Sequence, residues 1–378
     1  MPKQKSAWFH QAAAIALSLG LAGCAAPAQH AVNSNEIVVG VAGPMSGDLA
    51  AFGEQELRGT EMAVKDINAA GSLLGKQLYL AKGDDQCDPS RAVRVANDMV
   101  AQGAALVVGH FCSGSSIPAS SVYAAAHVVQ ITPSSTNPRL TVDGAAKGVT
   151  TLFRVVNSDE RQAIYAGRWM AKAYAHRNVV VLADGSAYGN ALAETLTKEL
   201  EAAGTSPILT RNYQQKSKDF SDLIAAIKQS QAHVVYIGGY HNDFALIVRQ
   251  ARAAGVGADF VGADALNTSE FVSIAGPAAD GVRFSDMATP MNLPSASKVV
   301  TEFRHDGYEP EGYTLTSYAA IQAWAAGVTR SSTFDSAKVA AAMRTAPVDT
   351  VIGKISWDAK GDIEQMRYAW FIWQGGIY

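Results

Sequence analysis

The run Ala104-Ala105-Leu106-Val107-Val108-Gly109-His110-Phe111-Cys112-Ser113-Gly114-Ser115-Ser116 decides how this chain folds. Its first half is apolar and rich in β-branched residues, the mark of a buried strand. Its second half supplies a cysteine, a glycine and three serines at what reads as a helix start. Hydroxyls and free backbone N–H groups at a helix N-terminus suit a carboxylate or phosphate. Plain N-capping needs one serine; three serines and a glycine exceed that need. A matching unit lies upstream, where strand-like residues 76–82 lead into Asp84-Asp85-Gln86-Cys87-Asp88-Pro89. Each of the two loops holds one cysteine.

The strand-then-helix unit recurs outward from this pair. Strand-like residues 37–41 precede a helical pattern over 54–70, closed by Gly71 at a position that suits glycine's left-handed backbone. Strand 78–80 leads to helix 90–101, strand 105–108 to helix 115–126, and strand 128–131 ends the series. The pattern restarts after Arg154 with helix 160–175, strand 179–182, helix 191–203 and strand 208–213. Helix 220–229, strand 234–237, helix 243–254 and strand 259–262 complete it. Such alternation predicts parallel sheets covered by helices on both faces.

Beyond these lie a strand over 281–285, helices over 314–327 and 336–346, and β-rich residues 368–373. The roughly 90 residues after Asp286 are too few for a third lobe with its own sheet. They return to the first lobe. The expected architecture is α/β, two doubly wound parallel-sheet lobes joined by three hinge crossings. The crossings fall between Val156 and Asn157, between Ser285 and Asp286, and around Met366. Lobe 1 then takes residues 36–156 and 286–365, and lobe 2 takes 157–285 and 366–378.

Residues 1–28 stand apart. Lys3 and Lys5 precede an apolar core over 12–21 and then small residues, the layout of a secretory signal. The run is short of the about 20 residues that span a membrane. Leu21-Ala22-Gly23-Cys24 matches a lipobox, with cleavage before Cys24 and lipid on its thiol. Ala26-Pro27-Ala28 offers the alternative, ordinary cleavage after Ala28. Both outcomes export the protein. Of 3 cysteines, Cys87 and Cys112 then remain, in a compartment where disulfides persist. Bonded, they close about 26 residues and stabilise by roughly 3–4 kcal/mol in the chain-entropy picture; two separate buried thiols are the alternative. The 378 residues suffice for two domains, and a net charge of -3 leaves no basic footprint for nucleic acid.

Ligands of open α/β sheets bind beyond the carboxyl ends of the strands. The residues placed there are Ser113, the loop Thr132-Pro133-Ser134-Ser135-Thr136-Asn137-Pro138, Tyr188, Tyr240 and Asp264. Asp264 suits an ammonium group, with a solvated aspartate or a helix cap as the plain alternative. The tyrosines wall a cleft or edge a core. Catalytic patterns are missing. Gly71-Ser72-Leu73-Leu74-Gly75-Lys76-Gln77 falls one residue short of a P-loop and lacks its Ser/Thr. Neither a Gly-x-Ser-x-Gly elbow nor His-Glu-x-x-His occurs. His110 and His241 read as structural, and Asp84, Asp85 and Asp88 miss the calcium-loop spacing. The expectation is a protein that is not an enzyme, with no metal and no cofactor.

Several segments match a known family in order along residues 36–373. They are Gly43-Pro44-Met45-Ser46-Gly47, the two cysteine loops, Ile131-Thr132-Pro133, Tyr188-Gly189 and Gly238-Gly239-Tyr240-His241. Arg249-Gln250-Ala251-Arg252-Ala253-Ala254-Gly255 and Ser356-Trp357-Asp358-Ala359-Lys360-Gly361-Asp362 follow. Together they resemble the branched-chain amino acid (Leu/Ile/Val)-binding proteins of bacterial ABC importers, class I periplasmic binding proteins.

The resemblance implies two lobes that close on ligand and a Cys87–Cys112 disulfide. It puts carboxylate contacts on Ser113, Ser134 and Thr136, the ammonium contact on Asp264, and cleft tyrosines on Tyr188 and Tyr240. Ser134 stands where alanine is usual. Asp264 stands where close relatives carry glutamate, so the ammonium sits deeper or a water bridges. Phe52 replaces a larger or hydroxylated aromatic in the side-chain wall, which favours an apolar side chain. The implied function is extracytoplasmic capture of Leu, Ile or Val by a monomer, periplasmic or lipid-anchored, for an ABC permease and its ATPase subunits. Another small polar ligand (urea, an amide, another amino acid) and a sensor serving a signalling partner are the alternatives.

Overall fold

The structure is a computed structural model that describes Met1 and residues 33–288, 290–364 and 368–378. The expected signal segment with Cys24 and Ala28 lies outside the described residues, Met1 apart. The first series runs β1 (Glu36–Gly43), α1 (Ala50–Ala69), β2 (Gln77–Asp84), α2 (Pro89–Ala101), β3 (Leu106–Gly109), α3 (Ser113–Ala125), β4 (Val129–Thr132), α4 (Arg139–Ala146) and β5 (Leu152–Arg154). The second runs α5 (Asp159–Ala173), β6 (Val179–Ala183), α6 (Ala187–Ala202), β7 (Leu209–Asn212), α7 (Ser221–Gln229), β8 (Val234–Gly238), α8 (His241–Ala253), β9 (Asp259–Gly262), α9 (Ser269–Ala275) and β10 (Arg283–Met287). The chain then adds α10 (Ser297–His305), α11 (Thr314–Ser331), α12 (Ser336–Arg344), the hairpin β11 (Val348–Thr350) and β12 (Gly353–Ile355), and β13 (Tyr368–Ile372).

Two large sheets result, with strand orders β2-β1-β3-β4-β5 and β13-β10-β9-β8-β6-β7, beside the two-stranded β11–β12 hairpin. Central strands such as β3, β6 and β8 are buried throughout, which is why they read as continuous apolar runs. Some helix starts are set by polar caps. Asp88 accepts from the Arg91 N–H at 2.7 Å, with Pro89 opening α2, and Ser186 accepts from the Gly189 N–H at 2.9 Å.

The first lobe's main core packs α1, α10, α11 and α12 on its sheet. Gly59 allows α1 and α11 to touch, since a Cβ there would stand 2.0 Å from the Thr314 carbonyl oxygen. That contact brings the start of α11 to the cleft. One apolar cluster crosses between lobes, joining Phe52, Phe111, Cys112 and Tyr313 to Tyr188, Val181 and Tyr236.

The structure differs from the sequence expectations in instructive places. Helices α1, α3, α6 and α8 start at Ala50, Ser113, Ala187 and His241, ahead of the amphipathic pattern in each case. Their first turns face the cleft rather than a lobe core, so hydrophobic periodicity does not mark them. Strand β13 is antiparallel to β10, an edge strand of the kind that doubly wound sheets accommodate. The expected second crossing, between Ser285 and Asp286, falls inside β10, which pairs with β13 out to Met287↔Tyr368. The expected crossing around Met366 falls within 365–367, outside the described residues. Helices α4 and α10, strand β5 and the β11–β12 hairpin had no counterpart in the sequence pattern.

Candidate functional site

Every candidate residue sits at the carboxyl end of a strand or on the helical turn after it. Phe52 lies on α1 after β1, Ser113 opens α3 after β3, and Ser134 and Thr136 follow β4. Tyr188 is in the first turn of α6, Tyr240 caps α8, and Asp264 begins a short 3-10 turn after β9. Contacts between the lobes bring several of them together: Thr136 and Asp264 bound one small cavity, and Phe52, Tyr188 and Tyr240 share one apolar cluster.

The first lobe's wall is a knot of hydroxyls. Ser135 donates to the Phe111 carbonyl at 2.8 Å, and Ser116 to the His110 carbonyl at 2.8 Å. Ser134 donates its hydroxyl to the Phe111 carbonyl at 3.0 Å and its N–H to Thr132 Oγ1 at 3.3 Å. Its side chain is therefore occupied within the turn. Ser113 differs: its Oγ accepts from the Asn137 N–H at 3.2 Å and keeps its own proton to give. Thr136 Oγ1 is buried with no well-formed hydrogen bond, although it lies beside the buried Asp159 carboxyl and favours its charged form. Helix α3 starts without a side-chain cap, leaving its N-terminal turn open to an anion.

Two devices hold this wall. The Cys87–Cys112 disulfide is formed, with Cα atoms 5.5 Å apart, and Cys112 occupies the position just before α3. Arg154, fully buried, donates to the carbonyls of Ser135 and Asn137 at 3.2 Å each and to Thr141 Oγ1 at 2.7 Å. Asp362 pairs with its Nε at 2.6 Å. The two histidines are structural in their contacts. His110 Nδ1 lies 2.5 Å from Asp85 and its Nε2 2.9 Å from the Tyr123 hydroxyl, while His241 Nε2 lies 2.8 Å from Glu270.

Across the cleft, Asp264 is 5% exposed. Its Oδ1 accepts from the Tyr188 hydroxyl at 2.9 Å and its Oδ2 from the Tyr313 hydroxyl at 2.6 Å. Burial pushes its carboxyl above the usual range, and the two tyrosine hydrogen bonds oppose that shift. Tyr240 packs against Tyr188 with ring centroids 5.2 Å apart.

Beside them is an aromatic box. Phe52, 0% exposed, stacks on Phe111 at 4.7 Å and meets His241 and Tyr313 edge-on at 4.7 and 5.6 Å. Tyr313, Phe111, His241 and Arg154 were not among the sequence candidates for the site. Tyr313 has one local signal, its place immediately before the α11 helix pattern.

The space bounded by Thr136, Asn157, Gln162, Asp264 and Tyr313 is about 20 Å³, room for roughly one water. Small-molecule pockets run to roughly 300–1,000 Å³. A larger ligand reaches these groups only as the lobes part. A second cavity of about 500 Å³ opens at the cleft mouth, beside Leu49, Cys87, Cys112 and Tyr240. Among the described residues no cluster of three or more His, Cys, Asp or Glu side chains is set to hold a metal ion, and no helix is long and apolar enough to cross a membrane.

Comparison with known proteins gives a consistent result. The periplasmic binding protein family matches residues 36–374. An amino acid binding protein of Pseudomonas aeruginosa is 42% identical over 341 residues, covering 89% of this chain and 90% of that one. Leu/Ile/Val-binding protein homolog 2 of Brucella abortus is 40% identical over 361 residues, covering 95% and 96%. Among solved structures, the branched-chain amino acid transporter substrate binding protein LivJ from Streptococcus pneumoniae, in complex with isoleucine, gives a TM-score of 0.82 at 25% identity, covering 90% and 97%.

Proposed function

The chain belongs to the periplasmic binding protein family, and from that premise we propose that it captures free Leu, Ile or Val between its lobes. The observation that carries this reading is the polarity of the cleft. One wall offers proton donors, the Ser113 and Thr136 hydroxyls and the uncapped start of α3. The other offers a buried carboxylate, Asp264. An α-amino acid carries an anion and a cation a few bonds apart and matches both walls at once.

Asp264 has room for it. An ionised carboxylate accepts about four hydrogen bonds, and the two tyrosines use one on each oxygen. The ammonium takes what is left. The α-carboxylate takes the Ser113 and Thr136 protons, and the side chain lies against Phe52 and Phe111, where an aliphatic group loses no hydrogen bonds on burial. Because contacts come from both lobes, ligand shifts the protein toward its closed form.

We infer further that the protein acts outside the cytoplasm and hands its ligand to an ABC permease with its ATPase subunits, working as a monomer. Export leaves either a lipidated Cys24 or a chain cut after Ala28, which intact mass distinguishes. Calorimetry with the twenty amino acids tests the ligand. Binding of Leu, Ile or Val supports the proposal; silence from all three, or preference for a charged amino acid, overturns it.

A further inference from the structure

We infer that Glu311 is an interlobe latch, a positioning residue that sets how long ligand is held without touching it. The inference rests on reading the cleft as the ligand site. Glu311 lies between α10 and α11, in the lobe built on α1, yet its carboxylate reaches the start of α9 in the other lobe. The Ser269 N–H donates to Oε2 at 3.0 Å and the Ser269 hydroxyl to Oε1 at 3.0 Å. The Thr268 hydroxyl donates to the same Oε1 at 3.3 Å. From its own lobe, Gln55 Nε2 on α1 donates to Oε1 at 3.3 Å.

Gln55 fixes the latch to the site. Its Oε1 accepts from the Tyr313 N–H at 3.1 Å, so one α1 side chain anchors both the latch carboxylate and the tyrosine that meets Asp264. Between them Gly312 has φ +54, and a Cβ there would stand 2.8 Å from the Asn267 carbonyl oxygen of the other lobe. Only glycine lets the two lobes come this close. Other links across the cleft are single contacts: Asn137 Nδ2 to the Ala187 carbonyl at 2.6 Å, Asn242 Nδ2 to the Asp48 carbonyl at 2.7 Å, the Tyr313 hydroxyl to Asp264 at 2.6 Å, and an exposed Lys216–Asp48 ion pair at 3.6 Å. Glu311 takes three donors from the opposite lobe onto one charged group, and charge-assisted bonds are the stronger kind.

A bond made only when the lobes are together adds to the closed state, and apparent affinity follows the population of that state. Glu311→Ala therefore weakens leucine binding about fivefold. The change falls in koff, because the open form that leucine first meets is unaltered. Glu311→Gln keeps one oxygen and falls between.

Stopped-flow and calorimetric titration of wild type and both variants tests this, with thermal melts confirming that each is folded. Wild-type koff in Glu311→Ala overturns the latch, as does a loss confined to kon. If the wild type binds no aliphatic amino acid, the ligand reading has failed, and hydrogen exchange at the Ser269 amide then tests the latch alone. Faster exchange in Glu311→Ala supports it, and equal exchange overturns it.

Discussion

The two walls of the cleft are built on opposite plans. In the first lobe, the turn from Thr132 to Asn137 is tied to its own lobe by Ser134, Ser135, Arg154 and the adjoining disulfide. In the second, Asp264 takes one of its two tyrosine partners, Tyr313, from the facing lobe. The first wall is held mainly by bonds within its own lobe. The second is completed by closure. On the proposed reading, an anion meets a wall formed in advance, and the ammonium end is held only after the lobes come together.

The most severe way to break this contrast is Asp264→Ala. Removing the carboxylate leaves a buried ammonium unpaired and strands two tyrosine hydroxyls, and leucine affinity is expected to fall more than about 100-fold by calorimetry. Affinity within tenfold of wild type would place the ammonium elsewhere. The disulfide comes next. Cys87→Ser with Cys112→Ser frees a closure of 25 residues, and urea unfolding should show a loss of about 3 kcal/mol, with a smaller effect on affinity. Equal losses in both would mean that the first wall is not independently rigid.

Within that wall, Thr136→Ala should weaken binding about tenfold, since its hydroxyl has no well-formed internal hydrogen bond and a bond to a charged group contributes about 1.5–3 kcal/mol. Ser134→Ala should leave affinity within about twofold and cost about 1 kcal/mol of stability, because its hydroxyl serves the turn. The reverse ranking would exchange their roles. The smallest effect concerns pH. Burial, followed by the charge of Asp264, raises the Asp286 carboxyl from 3.8 to about 8. A carboxyl with a raised folded value favours the fold at low pH, and that contribution is lost as pH rises through about 8. Asp286→Asn should therefore gain stability relative to wild type between pH 5 and 9 in urea titrations; parallel curves would contradict the shift.

The strand ends were legible because buried parallel strands read as apolar runs and the residues after them break abruptly to Ser, Tyr or Asp. That is how Ser113, Tyr188, Tyr240 and Asp264 are found without coordinates. Tyr313 was not legible: it lies 49 residues beyond Asp264 in the chain and arrives only through the α1–α11 contact at Gly59. Arg154 was hidden for a related reason. Its partners Ser135, Thr141 and Asp362 come from three separate segments, and no local pattern joins them. The distinction between Ser134 and Thr136, identical in a motif, depends on where each hydroxyl proton points.

As proposed, the cleft reads both ends of an α-amino acid at once. Calorimetry of leucine beside two truncated relatives, 4-methylpentanoate without the ammonium and 3-methylbutylamine without the carboxylate, tests it most directly. Leucine should bind tightly with one site per chain, and neither relative should give measurable heat. Binding of either truncated compound at leucine-like affinity would contradict it.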